Sequence, residues 1–461
     1  MENVLTIKQI KRIIQNDTDR RKQILTEKRY YNNDNDIRLK GIVPGDTDPL
    51  RNADNRTSNG FHGDITDEKI AFMFTYAVLF DLADEELNKK IKEVLGDDFE
   101  YECGNLGINA TNSKVAFLHY WIENNKFQYA TVETEECIPV YDKSLKKNLI
   151  GMYRYYPDVE EDITTGRSKY YVWFEYWDKN HCERYKFKGR LDQLGLTHLP
   201  EYDESFEHEF ERVPFIIFRN NKRMTSDLHR YKDLIDIYDK VLSGYANDLE
   251  DIQQLIYIIE NYGGEDLKEF LGDLKRYKTV KTETDSSGTS GGLKTLSIEI
   301  PVEARNSLLE ILEKRIYKSA QSLEQYNAES FGNASGTALK FFYRKLELKA
   351  GLTETQFRRG LNELIRVIMK YLNTKDWETR AITQIWTRNM ISNDQENAQI
   401  ASESKDVISD ETIIKNHPWV ENPEEEIKRM KTQKEEAKKR QQELFNNAGG
   451  FNNNDDDTNK E

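Results

Sequence analysis

Residues 228–260, LHRYKDLIDIYDKVLSGYANDLEDIQQLIYIIE, decide the fold class of this chain. Apolar side chains recur every three or four positions along the stretch, as they do on one face of an α-helix. Such a helix would be about 45–50 Å long, whereas the average helix of a globular protein has about 10–14 residues. The pattern stops at Gly263-Gly264, so we predict one unusually long helix that ends just before these glycines.

A small module follows the long helix and leads into a second one. It combines a short helix at Asp266–Leu274 with two strand-like runs, Tyr277–Thr284 and Leu293–Ile300, separated by a Ser/Gly loop. Pro301 then stands in the first turn of the next predicted helix, Val302–Ser322, a position that tolerates proline. The sequence therefore predicts two long helices joined by an αβ module of about 40 residues.

The chain before the long helix begins with helical patterns. The first, at 5–31, is followed by the polar stretch 32–63, rich in Asn, Asp and Gly, which we interpret as a loop or an extended arm. Further helices are predicted at 66–82, 84–95 and 115–124, the first of them with Thr66 as its N-cap.

From about Phe127 the apolar period changes to two, which is typical of β-strands. The predicted β-meander has strands at 127–133, 138–141, 150–156, 170–177 and 183–187, and a short strand at 211–218 ends the region. We interpret its many aromatic residues as sheet packing, because a stacking platform for single strands needs basic neighbours. The acidic residues at 158–162 oppose that role.

The rest of the chain is predicted to be mainly helical. A polar loop at 323–335 precedes a third long helical pattern at 336–373, a short strand at 381–386 and helices within 396–444. We expect the Asn/Asp-rich tail, 446–461, to be disordered. The predicted fold class is mixed α+β, mainly helical.

Composition restricts the kind of protein. The chain has 461 residues, a formal net charge of −15, 37% hydrophobic residues and 11% aromatic residues. It is more polar than an average soluble domain, yet too rich in aromatic residues for wholesale disorder. A folded, elongated and assembled subunit fits these values. The acidity argues against tight wrapping of nucleic acid but is compatible with a channel through which DNA slides.

Compartment signals are few. Cys103, Cys137 and Cys182 form no disulfide framework, so we expect a reducing compartment. The first residues have no signal-peptide core. The apolar stretch Ile70–Leu82 has 13 residues, fewer than the roughly 20 of a membrane span.

Motifs of catalysis are lacking in the sequence. It contains no GxxxxGK[ST] phosphate loop, no HExxH and no GxSxG. His181-Cys182 is interpreted as a surface pair, and Asp455–Asp457 as part of a solvated tail. We therefore expect a protein that is not an enzyme, with no catalytic residues, no metal site and no cofactor.

Four motifs, in this order, carry a resemblance to a known family. They are Asn59–Asp64, Arg219–Asn221 with Asp233–Asp239 and Ala246–Asp248, Phe331–Lys340, and His417–Glu426. Together with the helix–module–helix pattern, they make roughly residues 5–440 resemble the portal proteins of tailed bacteriophages. The similarity is to the type found in long-tailed phages of Gram-positive bacteria.

The resemblance implies a portal-like division of the chain. It would have an α/β wing at 1–226, a stem helix at 227–260, a small α/β clip at 261–300 and a second stem helix at 301–322. A tunnel loop would follow at 323–335, then a wing-crossing helix and strand at 336–395, a helical crown at 396–445 and the acidic tail at 446–461. The arm at 36–64 has no clear counterpart in the family, so the resemblance assigns it no role.

The resemblance also implies function and partners. The subunits would form a ring, usually of twelve copies, at one capsid vertex, through which double-stranded DNA is packaged and ejected. Its partners would be the large terminase subunit, a head-completion adaptor protein, and the major capsid and scaffolding proteins. The ring would assemble in the host cytoplasm and remain in the virion, without contact with a membrane.

Two sets of candidate site residues follow from the resemblance. The tunnel loop would present Gln325, Tyr326, Asn327, Glu329, Phe331, Asn333 and Ser335 to the channel. The clip would dock the motor and the adaptor through Asp266, Lys275, Arg276, Lys278, Lys281 and Lys294. A separate interpretation of Phe331–Lys340 is an ordinary helix N-terminus capped by Ser335, and both interpretations can hold.

Two other functions stay open on the sequence alone. Another phage structural protein, such as a scaffold or capsid-associated factor, would not need a strand-containing module between two long helices. A metal-dependent nuclease would need clustered carboxylates, and the sequence offers no cluster to choose.

Overall fold

The computed structural model describes residues 5–39, 53–162, 166–191, 202–252, 256–260, 292–296, 301–323, 336–389, 394–405, 407–415, 420 and 423–448. The chain divides into two compact units. The larger consists of 1–324 with 345–389, and the smaller of 325–344 with 390–461.

The N-terminal part of the larger unit is mainly helical. It contains α1 (Ile7–Tyr31), α2 (Phe61–Phe74), the short strand β1 (Leu79–Asp81), α3 (Glu85–Leu95) and α4 (Phe99–Ser113). Local sequence signals set two of the helix starts. Thr6 and Gln9 form a capping box at α1, and the Asp84 carboxylate accepts a hydrogen bond from the Leu87 N–H at α3.

Two antiparallel sheets follow. The first has the strand order β3-β2-β9, from β2 (Val115–Glu123), β3 (Lys126–Val132) and β9 (Phe215–Arg219). The second has the order β4-β5-β6-β7-β8, from β4 (Cys137–Tyr141), β5 (Leu149–Asp162), β6 (Arg167–Trp177), β7 (His181–Lys188) and β8 (Tyr202–Glu207). The predicted meander is thus confirmed.

Two helix predictions before the meander differ from the structure, one in the kind of element and the other in its bounds. The helix predicted at 115–124 is β2, the central strand of the first sheet, and Ala116, Phe117 and Leu118 are all buried in it. A strand covered on both faces lacks alternation, so periodicity cannot tell it from a buried helix. The helix predicted at 66–82 is α2, which ends at Phe74. Thr66 lies buried inside it and does not cap it.

The long helix is shorter than predicted. It is α5, Lys232–Ile252, and a 3₁₀ turn at Leu228–Arg230 precedes it. The predicted last turns form strand β10 (Ile256–Glu260), antiparallel to β11 (Gly292–Leu296). The run Ile-Tyr-Ile-Ile favours strands over helices, so the stem helix predicted at 227–260 is wrong at its C-terminal end.

The helices predicted at 5–31, 84–95, 302–322, 336–373 and within 396–444 are confirmed. The helix predicted at Asp266–Leu274 and the strand-like run predicted at Tyr277–Thr284 lie outside the described residues. In the larger unit α6 spans Val302–Ala320, and the long helix α7, Gly336–Tyr371, belongs to this unit from residue 345 onward. Strand β12 (Thr383–Ile385) pairs antiparallel with β1. The smaller unit contains α8 (Asp394–Glu403), α9 (Asp410–Lys415) and α10 (Pro423–Ala448). Residues 449–461 of the predicted disordered tail lie outside the described residues.

Three apolar clusters form much of the core of the larger unit. One joins α1 to the five-stranded sheet through Ile10, Tyr155 and Phe174. A second joins the two sheets through residues such as Phe117, Met152 and Phe215. The third surrounds the start of α5 and is described below. The mixed α+β fold class is therefore confirmed.

None of the described helices combines the length and apolarity needed to span a membrane. The three cysteines are buried as free thiols.

Candidate functional site

The paired helices α5 and α6 are the described part of the element that the resemblance assigns to the stem. Near the start of α5, Ile235 packs in a cluster with Ile316 and Tyr317, which lie near the end of α6. Near the end of α5, Asp248 forms an ion pair with Arg305, in the first turn of α6. The two helices therefore run antiparallel, with an apolar contact at one end and a charged one at the other.

A second face of α5 carries a stripe of polar side chains. The stripe consists of Lys232, Asp236, Asp239, Ser243, Asn247 and Glu250, spaced by three or four residues. Asp239, Ser243 and Asn247 are buried. Buried polar side chains need hydrogen-bond partners, so this stripe must face another polar segment.

That segment is the end of the predicted arm, residues 53–60, which we call the strap. Backbone N–H groups of alternate strap residues donate to successive side chains of the stripe. The three bonds run from Asn55 to Asn247 Oδ1 at 2.6 Å, from Thr57 to Ser243 Oγ at 2.9 Å, and from Asn59 to Asp239 Oδ1 at 3.1 Å.

The repeat distances explain why a strap can lie along a helix. Two residues of extended chain advance about 6.6 Å, and four residues of α-helix advance about 6 Å. Every second N–H of the strap therefore meets every fourth residue of α5. The order of the partners shows that strap and helix run antiparallel.

The other side of the strap is held by the turn that follows α1. Asn35 donates its backbone N–H to Ser58 Oγ at 3.1 Å and its side-chain amide to Asp239 Oδ2 at 2.6 Å. The Asn59 amide also donates to Asp239 Oδ1, at 2.7 Å. Burial raises the pKa of Asp239, although these amide hydrogen bonds favour its anion.

The start of α5 is tied to α1 by charged groups. Lys232 Nζ donates to Asp36 and to Asp236, each at 2.8 Å, and the Tyr30 hydroxyl donates to Asp236. Burial opposes the charge on Asp36, but Lys232 and Arg29 more than offset that effect and hold its pKa below the usual value. These bonds continue the strap contacts down to the first turn of the helix.

A buried charge cluster lies just before α5. Asp227 Oδ2 contacts Lys69 Nζ of α2 at 3.2 Å and Lys349 Nζ of α7 at 2.8 Å. Asn220 bridges the cluster, since it accepts from Lys69 at 2.6 Å and donates to Asp227 Oδ1 at 2.8 Å. The cluster therefore joins α2 and α7 to the loop from which the stem begins.

The cluster holds two lysines for one carboxylate, and its pKa shifts reflect this. Burial lowers the pKa of Lys69 to about 8, while Asp227 partly restores it. The two lysines overcome the burial of Asp227 and hold its pKa far below the usual range. Nearby, His62 Nδ1 lies 2.9 Å from the Tyr231 hydroxyl, and burial lowers the pKa of His62 to about 4.

The candidate residues from the sequence lie almost entirely outside the described ranges. These are Gln325, Tyr326, Asn327, Glu329, Phe331, Asn333 and Ser335 of the tunnel loop, and Asp266, Lys275, Arg276, Lys278 and Lys281 of the clip. Lys294 is described, in β11 opposite Ile258 of β10. The roles of all these residues stay predictions.

Potential metal ligands do not cluster among the side chains of the described ranges. No group of three or more His, Cys, Asp or Glu residues there could hold a metal ion. His181 and Cys182 are successive residues of β7, so their side chains point to opposite faces of the sheet. What the described residues do form is an anchor for α5, a set of buried polar contacts that fixes this helix to the strap and to the turn after α1.

Sequence reasoning missed this anchor. Two signals could have found it: the uninterrupted polar run of the strap, Asp54–Asn59, and the polar stripe at helical spacing along α5. Each is weak alone, because loops are commonly polar and helices commonly have a polar face. Their partnership depends on tertiary structure.

Comparison with known proteins gives a consistent result. Residues 10–440 match the model of the family described as phage portal protein, SPP1 Gp6-like. The portal protein of Clostridium phage phiCD119 is 49% identical over 435 residues, covering 91% of this chain and 94% of the relative. The portal protein of Bacillus phage SPP1 is 30% identical over 425 residues, covering 88% and 82%.

One solved structure is similar at much lower identity. The neck of a native gene transfer agent particle contains a chain that is 9% identical, with a TM-score of 0.43, covering 77% of this chain and 88% of the other.

Proposed function

The chain belongs to the SPP1 Gp6-like family of phage portal proteins, and from that premise we propose that it works as one subunit of a DNA-conducting ring. The family match over residues 10–440 is the observation that carries the proposal. The ring would stand at one capsid vertex of the virion, with about twelve copies as the expected number.

Exposed apolar residues on the paired helices support a ring. Ile237 and Leu249 of α5, and Leu308 and Ile311 of α6, are each 41–56% exposed in the single chain. Contact with neighbouring copies would remove this apolar surface from water. A head-to-tail contact that closes on itself generates a ring.

The net negative charge of the chain supports a ring through which DNA passes rather than a protein that binds DNA tightly. Twelve copies at −15 would carry about −180. Strong phosphate contacts would slow a moving duplex, so a lumen with few cations favours sliding. The tunnel loop, through Tyr326, Asn327, Glu329 and Asn333 among its seven candidates, would offer polar contacts that carry no positive charge.

Each partner is proposed from the part of the chain that would bind it. The clip would receive the large terminase subunit during packaging and the head-completion adaptor afterwards. The major capsid and scaffolding proteins would surround the ring while it assembles in the host cytoplasm. ATP hydrolysis would reside in the separate motor, because this sequence has no phosphate loop, and the chain itself would not be an enzyme.

Electron microscopy of the purified protein, together with mass determination in solution, tests the proposal. We expect closed rings of about twelve copies with a central hole. A stable monomer or dimer across a range of salt concentrations would contradict the ring. In that case a screen for metal-dependent nuclease activity would follow.

A further inference from the structure

The second stem helix ends where the predicted tunnel loop begins. Helix α6 stops at Ala320, which is buried in the apolar cluster around the start of α5. We call the next three residues, Gln321, Ser322 and Leu323, the stem junction, and Leu323 is also the first residue of the predicted tunnel loop. Whatever fixes the stem junction therefore fixes the point at which the loop leaves the stem.

The backbone of the stem junction leaves the helical path at its first residue. Gln321 has a φ of +57°, in the left-handed region, and forms the C-cap of α6. Its N–H donates to the Lys318 carbonyl at 3.3 Å, and the Ser322 N–H donates to the Tyr317 carbonyl at 3.1 Å. A residue other than glycine is disfavoured in this region, so contacts around the junction have to stabilise the turn.

A carboxylate of α2 accepts two further hydrogen bonds from the junction. The Leu323 N–H lies 3.2 and 3.3 Å from the two carboxylate oxygens of Glu68, and the Ser322 hydroxyl donates to Glu68 Oε2. Ser322 is 5% exposed, so water cannot readily replace the carboxylate as the acceptor of its hydroxyl. Glu68 and Ser322 are 254 residues apart in the chain, and the bond joins two separate elements.

Glu68 projects from a helix that is itself fixed. The next residue of α2, Lys69, is fully buried and contacts the carboxylate of Asp227 at 3.2 Å. A displacement of α2 would separate this buried pair, which is strongly unfavourable. Glu68 and Lys69 therefore hold the chain just after α6 and just before α5, respectively. A side chain on such a support can position its partner precisely.

A second contact joins the junction to the first stem helix. Arg230, in the 3₁₀ turn before α5, donates to the side-chain oxygen of Gln321 at 2.8 Å. This hydrogen bond is exposed, and water competes with it more effectively than with the bond of the buried Ser322 hydroxyl. The contact with Glu68 is therefore the stronger constraint on the junction.

These contacts give Glu68 a role in the channel. We propose that Glu68 is a positioning residue, which fixes the stem junction so that the tunnel loop leaves each copy of the ring at the same place. The proposal rests on the tunnel-loop role proposed above. DNA that moves past the loop would push on it at every step, and a fixed junction would confine the displacement to the loop itself.

Hydrogen exchange on the assembled protein tests the contact. Burial raises the pKa of Glu68 to about 7, so the measurement is made at pH 8, where the carboxylate predominates. In Glu68→Ala we expect the Leu323 amide to exchange at least about tenfold faster, measured by mass spectrometry of overlapping peptides. Glu68→Gln keeps one acceptor oxygen and should restore part of the protection. Asp64→Ala, which removes an exposed carboxylate from the first turn of α2, is the matched control and should change nothing.

DNA packaging by the same proteins tests the role. We expect Glu68→Ala to form rings but to package DNA several-fold more slowly, and Glu68→Gln to recover much of the rate. Ser322→Ala should have a smaller effect and should add little to Glu68→Ala in the double variant, because both changes break the same contact. Ile91→Val lowers the stability of the fold at a buried position of α3. It leaves the junction intact and should package at the wild-type rate.

Several results would overturn the proposal. Unchanged exchange at Leu323 in Glu68→Ala would show that the carboxylate does not fix the junction. Faster exchange together with packaging at the wild-type rate would show that the fixed junction has no role in transport. Equal slowing in Ile91→Val would assign the effect to global stability. A wild-type protein without rings would contradict the portal function proposed above, while the exchange experiment would still test the contact.

Discussion

The buried carboxylate of Glu27, beside the loop that precedes α5, shows how burial changes the pKa of a single residue. It lies on α1 with 5% of its surface exposed. The Ser226 hydroxyl and the Gln23 amide donate to Oε1 at 2.7 and 3.2 Å, while Oε2 has no partner among the described residues. Burial raises the pKa of Glu27 from 4.5 to about 7, which the two hydrogen bonds only partly oppose.

A raised carboxyl pKa makes stability depend on pH with a definite sign. The folded chain holds this proton more tightly than the unfolded chain, so the contribution is fully present below about pH 4.5 and is lost as pH rises through 7. A Glu27→Gln variant stays neutral at every pH. We expect its advantage in unfolding free energy over wild type to grow by about 2–3 kcal/mol between pH 5 and pH 8.

Urea unfolding of variant and wild type at both pH values measures this difference. Because the two proteins are compared at each pH, all other titrating groups cancel. Glu93→Gln, at an exposed position of α3, is the matched control and should show no pH-dependent difference. A Glu27→Gln effect of equal size at pH 5 and pH 8 would rule out the buried anion as its cause.

At the scale of elements, the strap is the segment that fixes helix α5 to the turn after α1. Asp239 alone receives the Asn59 N–H, the Asn59 amide and the Asn35 amide. We expect Asp239→Ala to leave these buried donors unpaired and to cost about 2–4 kcal/mol of stability. The strap itself should loosen, so trypsin should cleave after Arg56 faster than in wild type.

Asp233→Ala is the matched control, since it removes an exposed carboxylate from the first turn of the same helix. Trypsin digestion followed by mass spectrometry measures the cleavage rate after Arg56. Equal rates in wild type and Asp239→Ala would mean that the ladder does not hold the strap.

Elements that depend on local sequence were predictable, and those that depend on distant partners were not. The helices α6 and α7 carry their own periodic pattern. Strand β10 is stabilised by its pairing with β11, whose residues lie more than 30 positions later in the chain. The apolar pattern of its own sequence, IYIIE, therefore led to a predicted helix that is too long. β2 was missed because other layers of the fold cover both of its faces, so that the successive residues Ala116, Phe117 and Leu118 are all buried.

The candidate functional residues show the same difference between local and distant information. The candidate residues of the tunnel loop and the clip were assigned through the resemblance to a family. The ordered motifs that carry such a resemblance can be recognised without knowing which residues are in contact. The stem anchor needs Asn35, the strap and α5 together, from three parts of the chain separated by up to 204 residues. No local pattern contains that information.

At the scale of the whole molecule, the charge along the proposed path of DNA would decide how easily the duplex moves. The chain carries a net charge of −15, so a ring of such chains would surround DNA with a net negative charge. Lysines placed in the tunnel loop would form phosphate contacts at every step of the moving duplex, each strengthening as salt falls. Movement would then be limited by the release of those contacts.

We therefore expect Glu329→Lys/Asn333→Lys to slow or stall packaging while rings still form, and more severely at low salt. Packaged DNA protected from nuclease, measured with motor and proheads, is the readout. Gln433→Lys/Glu435→Lys makes the same charge change on α10, so it separates the loop from net charge. If both variants package DNA at the wild-type rate, the loop does not meet the duplex. If both slow equally, net charge rather than loop position controls transport.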